Sequence, residues 1–253
     1  MPTFASFDDN EIWFDDQHDD DHEGDGVAVV LLHGFAADTN LNYVRSGIFD
    51  ALIDAGCRVI AMDFRGHGLS AKPHDPAAYA DGALARDVEA LLDHRSIDRV
   101  AVVGYSMGAG VAMQLGARDA RVTRVVALGV GSASLERRDA GGPSLRHALL
   151  ADDPASITDS LGAQFRRLAD SIRADRVALA ACMEAPHAHP AYHLDELSVP
   201  LLVIAGADDG LAGDPCAVAQ RVADGAALTV PGNHFDANAQ PALHCALVEF
   251  LTW

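Results

Sequence analysis

Lysine is almost missing from this sequence: of 18 basic residues only Lys72 is a lysine, and 37 acids leave a formal net charge of −19. Affinity for phosphate backbones and anionic headgroups comes mostly from Lys and Arg displacing counterions, so neither nucleic acid nor a membrane surface is an expected partner. Cysteine is sparse as well. Cys57, Cys182, Cys216 and Cys245 lie far apart, and no basic-plus-apolar signal segment opens the chain. A disulfide framework is therefore not expected, and a reducing cytoplasm is the expected location. Long hydrophobic runs are absent too. The longest, residues 27–32 and 200–205, fall far short of the ~20 residues needed to cross a bilayer.

What is present suits one globular unit. A chain of 253 residues, 49% hydrophobic and 22% charged, can bury a full core. Single α/β domains commonly run to about 200 to 250 residues, so one domain with an insertion is expected. The charge is uneven: ten acids and no Lys or Arg fall within the first 30 residues. In that stretch the run His18-Asp19-Asp20-Asp21-His22 offers carboxylate and imidazole ligands, but it lacks the spaced ligands and glycine of a calcium loop. A solvated loop is expected there, and no metal.

The chain opens with two short β-prone runs around Asp8-Asp9-Asn10, the pattern of a hairpin. Beyond the acidic stretch, continuous apolar runs at 27–32, 58–63, 100–104, 122–128, 201–206 and 226–230 alternate with helical patterns at 81–94, 107–119 and 240–251. Continuous hydrophobicity means that both faces of each strand are covered, as in a parallel sheet flanked by helices. The rhythm breaks once, between residues 132 and 199, where 145–151 and 156–183 have helical character. This predicts a core of residues 1–131 and 197–253 and a helical cap insertion of residues 132–196. Arg166, Arg167, Arg173 and Arg176 lie in it, with Asp170 at the spacing of helix-surface ion pairs. His187, His189 and His193 fall at its Pro-flanked end, where an ordinary loop is expected.

Gly104-Tyr105-Ser106-Met107-Gly108 is a G-x-S-x-G between an apolar run and a helical one. That context is what a nucleophile elbow needs, because a tight strand-to-helix turn tolerates only small residues two places either side of the serine. A serine hydroxyl needs a base, and the base needs an orienting carboxylate. Asp208-Asp209 follows the run 201–206, and His234 follows the run 226–230. Each sits just past a strand's C-terminal end, where open α/β sheets place their sites. The same glycines also fit the G-x-x-x-G-x-G of a dinucleotide loop. Such a loop belongs after the first strand, and the Tyr-x-x-x-Lys that accompanies it in short-chain dehydrogenases is absent.

With these residues in place, the chain resembles the α/β-hydrolase superfamily, in its serine esterase and lipase branch, from Val27 to Leu251. Leu32-His33-Gly34-Phe35 is similar to the family's H-G-x loop, and 63–70 to its D-x-R-G-x-G-x-S loop. The resemblance implies a mostly parallel sheet with an N-terminal antiparallel hairpin and a helical cap, and a cofactor-free hydrolase acting on a small-molecule ester. It assigns Ser106, Asp209 and His234 as the triad and the backbone N–H groups of Phe35 and Met107 as the oxyanion hole. Asp209 is preferred to Asp208 because the family's G-x-x-D counts three residues from Gly206. His33 and His67 are expected to be structural. The same triad can serve lactonase, thioesterase, C–C bond hydrolase or perhydrolase chemistry, or be retained in a ligand receptor. Haloalkane dehalogenases and epoxide hydrolases of this fold carry an aspartate at the elbow instead.

Overall fold

The computed structural model describes residues 2–18, 26–136, 142–185 and 194–252. Eight strands form one sheet: β1 (Thr3–Ala5), β2 (Glu11–Gln17), β3 (Ala28–Leu32), β4 (Arg58–Met62), β5 (Val100–Tyr105), β6 (Val122–Leu128), β7 (Leu201–Gly206) and β8 (Gly225–Val230). Their spatial order is β1-β2-β4-β3-β5-β6-β7-β8. The β1–β2 and β2–β4 pairs are antiparallel, and every other pair is parallel. The helices are α1 (Ile48–Asp54), α2 (Ala83–His94), α3 (Met107–Arg118), α4 (Ser132–Glu136), α5 (Gly142–Leu150), α6 (Ser160–Ser171), α7 (Arg176–Glu184), α8 (Cys216–Ala219) and α9 (Pro241–Thr252).

The period of two along a strand divides the core in two. Val30, Leu32, Ile60, Met62 and Val102 face Leu84, Val88 and Leu91 of α2 and Val111 and Leu115 of α3. Val29, Leu31, Val59, Ala61 and Val103 face the other way, onto Phe49 and Leu52 of α1 and Leu243, Leu247 and Leu251 of α9. Both faces are therefore dry over most of their length, which is why β3 to β7 read as mainly apolar runs, interrupted only by Arg58 in β4 and by Thr123 and Arg124 in β6.

Two stretches differ from the sequence expectation. The hairpin's second strand runs past Phe14 to Gln17, pairing Asp15 and Asp16 with Ala61 and Ile60. Two acids are tolerated in a strand because the Asp16 carboxylate accepts from Arg58 Nε and Nη2, at 2.9 and 2.7 Å, and from Arg95 Nε at 2.7 Å. Burial works against that charge, but the two guanidiniums outweigh it and hold the carboxyl below its ordinary range. In the insertion, the helical stretch expected at 156–183 is cut into α6 and α7 at Arg173, whose φ is 55°. Asp159 and Asp175 each cap the helix that follows: Asp159 accepts from Gly162 N–H, and Asp175 from Val177 and Ala178 N–H.

Arg166 also departs from the surface role expected of it. It keeps the ion pair with Asp170 at 2.9 Å, but it is 4% exposed and donates Nη1 to the carbonyls of Ala148 and Ala151. It thus bolts α6 to the C-terminal end of α5, where helix carbonyls lack partners. Leu145, Leu149, Ala169 and Leu179 form the small core of this insertion, and Phe35 of the β3 loop packs against it. Among the described residues no helix is long and apolar enough to cross a membrane.

Candidate active site

The turn from β5 into α3 holds Ser106 at φ 53° and ψ −107°, a conformation that a side chain adopts only under constraint. The constraint comes from close backbone approach on both sides. A Cβ on Gly104 would lie 2.1 Å from Gly108 O, and one on Gly108 would lie 2.1 Å from Leu32 O. Both positions must therefore be glycine, which is the physical content of the G-x-S-x-G pattern. Ser106 N–H donates to Leu128 O at 2.7 Å, tying the turn to β6.

His234, in the loop after β8, lies with Nε2 3.1 Å from Ser106 Oγ and Nδ1 2.8 Å from Asp209 Oδ2. A carboxylate only accepts, so Nδ1 carries the proton and Nε2 offers its lone pair to the serine hydroxyl. Asp209, 3% exposed in the loop after β7, is held by two further hydrogen bonds to Oδ1, from Leu211 N–H at 3.0 Å and Ala212 N–H at 2.9 Å. Its neighbour Asp208 is exposed, and His234 Nδ1 bonds to Asp209 rather than to it. Tyr105 donates its hydroxyl to His234 O at 2.9 Å, fixing the histidine's backbone from beneath. The structure therefore brings Ser106, His234 and Asp209 into one hydrogen-bonded chain from three separate loops.

The β3 loop lies against this elbow, since a Cβ on Gly34 would sit 3.5 Å from Ser106 Cβ. Among the described residues the N–H groups of Phe35 and Met107 have no acceptor, and Met107 begins α3, where the first N–H groups point out of the helix. His33 staples the loop in place: its Nε2 accepts Phe64 N–H at 3.0 Å, so Nδ1 is the protonated nitrogen and donates to Gly34 O at 2.7 Å. The 63–70 loop is braced in turn by Asp63, whose carboxylate accepts Thr39 N–H at 2.9 Å and Leu69 N–H at 2.8 Å. Arg65, fully buried, donates to Asp87 and Asp8. That paired charge joins the opening hairpin to α2 and the glycine loop. Lys72 donates Nζ to the carbonyls of His67, Gly68 and Ser70, so the chain's one lysine closes the same loop.

Burial drives His33 and His67 away from the charged form, His67 to a pKa of about 3. Unfolded histidine protonates near 6.5, so below that pH the unfolded chain takes up protons that the folded chain refuses. Stability is then highest above that pH and falls on acidification, by roughly 1 kcal/mol for His67 alone between about pH 7 and 5.5. Urea unfolding at these two pH values should show the loss, and His67→Asn should make it smaller by that amount. An unchanged pH dependence in the variant would contradict the assignment. The buried thiols offer no rival nucleophile near neutral pH: burial pushes Cys182 up to about 12 and raises Cys57 as well.

A cleft of about 490 Å³, counting its open mouth, lies over Ser106 and His234. Phe35, Phe165, Leu168 and Phe235 give it an apolar lining, and Asn42 and Asn238 border it with two carboxamides. Sequence reasoning had no signal for these six as a group, because they come from the β3 loop, the insertion and the two turns flanking His234 and Tyr43. Of the other histidines singled out, 187, 189 and 193 lie outside the described residues, as do positions 19–22 of the acidic run. Among the described residues no group of three or more His, Cys, Asp or Glu is placed to hold a metal ion.

A family model for the alpha/beta hydrolase fold matches residues 27–153, half of the chain, and the protein belongs to that family. Two curated relatives each align over little more than a third of the chain. One is the putative carbamate hydrolase RutD of Variovorax paradoxus, 40% identical over 103 residues, which are 40% of this chain and 37% of that protein. The other is an epoxide hydrolase of Caballeronia sordidicola, 38% identical over 87 residues, 34% of this chain and 26% of that one. The match thus spans well under two thirds of either relative's length. Among solved structures, the enol-lactonase from Burkholderia xenovorans LB400 superposes with a TM-score of 0.72 at 25% identity, covering all of both chains.

Proposed function

We propose that the protein is a cofactor-free serine hydrolase that cleaves a carboxylic ester through an acyl-enzyme, with residues 132–196 acting as a cap over the cleft. The observation that carries this reading is the hydrogen-bonded chain from Asp209 through His234 to Ser106, with the serine on a strained elbow. Ser106 Oγ attacks the ester carbonyl carbon while His234 Nε2 takes the hydroxyl proton. The negative charge that forms on the carbonyl oxygen is met by the N–H groups of Phe35 and Met107. As the tetrahedral adduct collapses, the C–O bond to the alcohol breaks, and His234 returns the proton to the departing oxygen. Water then attacks the acyl-enzyme by the same route, releasing the acid and restoring the Ser106 hydroxyl. Asp209 keeps the imidazole in the tautomer this requires and stabilises the imidazolium between steps.

Serine at the elbow speaks against the epoxide chemistry named in the Caballeronia relative, since the epoxide hydrolases of this fold carry aspartate there. A cyclic ester is the second reading, favoured by the full-length likeness to an enol-lactonase. A ladder of p-nitrophenyl esters together with a γ-lactone tests both. Turnover of the short open-chain esters is expected, and turnover of the lactone alone would move the assignment to the second reading. Phe165, which borders the cleft from the insertion and packs on Phe35, sets acyl length in this reading. Phe165→Ala should shift the preferred chain upward by two or more carbons; an unchanged profile would contradict the cap's role in the pocket.

A further inference from the structure

Two carboxamides border the cleft that the proposed chemistry does not use. Asn42 lies in the π-helical turn Asn40–Val44, and its Oδ1 accepts Gly34 N–H at 2.7 Å. A backbone N–H only donates, so the atom facing it is the oxygen, and Nδ2 stands on the other side of the amide. Asn238, 6% exposed in the turn Ala237–Ala239, donates its Nδ2 to Asn42 O at 2.9 Å. Its amide is thereby fixed the opposite way round, with Oδ1 left over. Neither Asn42 Nδ2 nor Asn238 Oδ1 has a hydrogen-bond partner among the described residues, and neither is sealed from solvent space. A Cβ on Gly34 would sit 3.4 Å from Asn42 Oδ1 and 3.5 Å from Ser106 Cβ, so this amide stands beside the serine.

The cleft also has a direction. Phe235 at its mouth is 46% exposed, whereas Asn238 and Ala37 are nearly covered. The acyl group stays on Ser106 through both steps, so the carbons next to its carbonyl lie beside the serine and Asn42, at the covered end, while the rest of a longer chain extends towards Phe165. Among the described residues no Lys or Arg borders the cleft. A carboxylate carried into that end would lose water with no cation to replace it. A group that both donates and accepts would instead satisfy both amides.

We infer that the substrate's acyl group carries a neutral hydroxyl or secondary amide near the scissile carbonyl, accepting from Asn42 Nδ2 and donating to Asn238 Oδ1. This rests on the reading of Ser106 as the nucleophile. The test compares kcat/KM for p-nitrophenyl butyrate, β-hydroxybutyrate and hydrogen succinate. Two hydrogen bonds made to otherwise unpaired groups give a preference of about tenfold or more for the hydroxy ester over butyrate, with the succinate ester slowest. Asn238→Leu should collapse the hydroxy-to-butyrate ratio towards one. Asn42→Asp, which keeps the Oδ1 that Gly34 needs but lacks the Nδ2 donor, should shrink the same ratio and serves if the leucine variant does not fold. Turnover of all three esters with no hydroxyl preference, a faster succinate ester, or an unchanged ratio in a folded variant overturns this inference alone. Failure to turn over any ester, with Ser106 unlabelled by a fluorophosphonate, overturns the nucleophile assignment itself and this inference with it.

Discussion

Ser106→Ala should lose on the order of 10⁴ to 10⁶ in kcat on a p-nitrophenyl ester while its thermal midpoint stays within a few degrees of the parent. In the proposed mechanism the loss is large because the hydroxyl oxygen forms the covalent bond, and among the described residues no other group is placed to form it. Cys182 is buried with its thiol held protonated, and no other described serine donates to His234. The fold should survive because alanine keeps the Cβ beside Gly34, and the strained backbone is held by Ser106 N–H on Leu128 O rather than by the side chain. Some rate above the uncatalysed reaction should remain, since the Phe35 and Met107 N–H groups are untouched. A variant that retained more than about a hundredth of the parent kcat would place the nucleophile elsewhere.

The next largest effect separates two neighbouring carboxylates. Asp209→Asn should cost about 10⁴ in kcat, because the amide preserves shape but presents an N–H to His234 Nδ1 and so favours the tautomer whose Nε2 cannot accept the serine proton. Asp208→Asn should cost less than tenfold, for that side chain is exposed and the imidazole bonds to Asp209 instead. The two Oδ1 hydrogen bonds from Leu211 and Ala212 N–H explain why only one of the pair turns inward: Asp209 is clamped by its own loop before His234 is considered. Comparing kcat for the two variants decides the matter, and a larger loss at Asp208 would reverse the roles.

The features legible in the sequence are those where local chemistry and global fold demand the same residues. Gly104 and Gly108 are dictated because a Cβ at either would come 2.1 Å from a backbone carbonyl oxygen, so the elbow shows as a five-residue pattern. The dry sheet shows as continuous apolar runs because β3 to β7 are covered on both faces. The hairpin shows because turn formers separate a pair of β-prone runs. The remainder depends on partners distant in the chain. Asp16 looks like one acid among ten, yet it sits in a strand because Arg58 and Arg95 converge on it. Arg166 has the spacing of a surface ion pair with Asp170, and nothing local reveals the α5 carbonyls that bury it. Asn42 and Asn238 are 196 residues apart and belong to no pattern, so the polar end of the cleft emerges only when the two turns meet. Helix α1 carries helical spacing in Ile48, Phe49, Leu52 and Ile53, but over only seven residues, too short a window to stand out.

The most direct measurement is peptide mapping by mass spectrometry after inactivation with a fluorophosphonate. The reagent phosphonylates a serine only where a neighbouring base activates the hydroxyl and N–H donors meet the phosphoryl oxygen. One adduct per chain is expected, on the peptide containing Ser106, appearing in step with the loss of ester hydrolysis and absent from Ser106→Ala and from protein unfolded beforehand. Full inactivation with the adduct on another residue, or sustained hydrolysis by protein fully labelled at Ser106, would contradict the assignment.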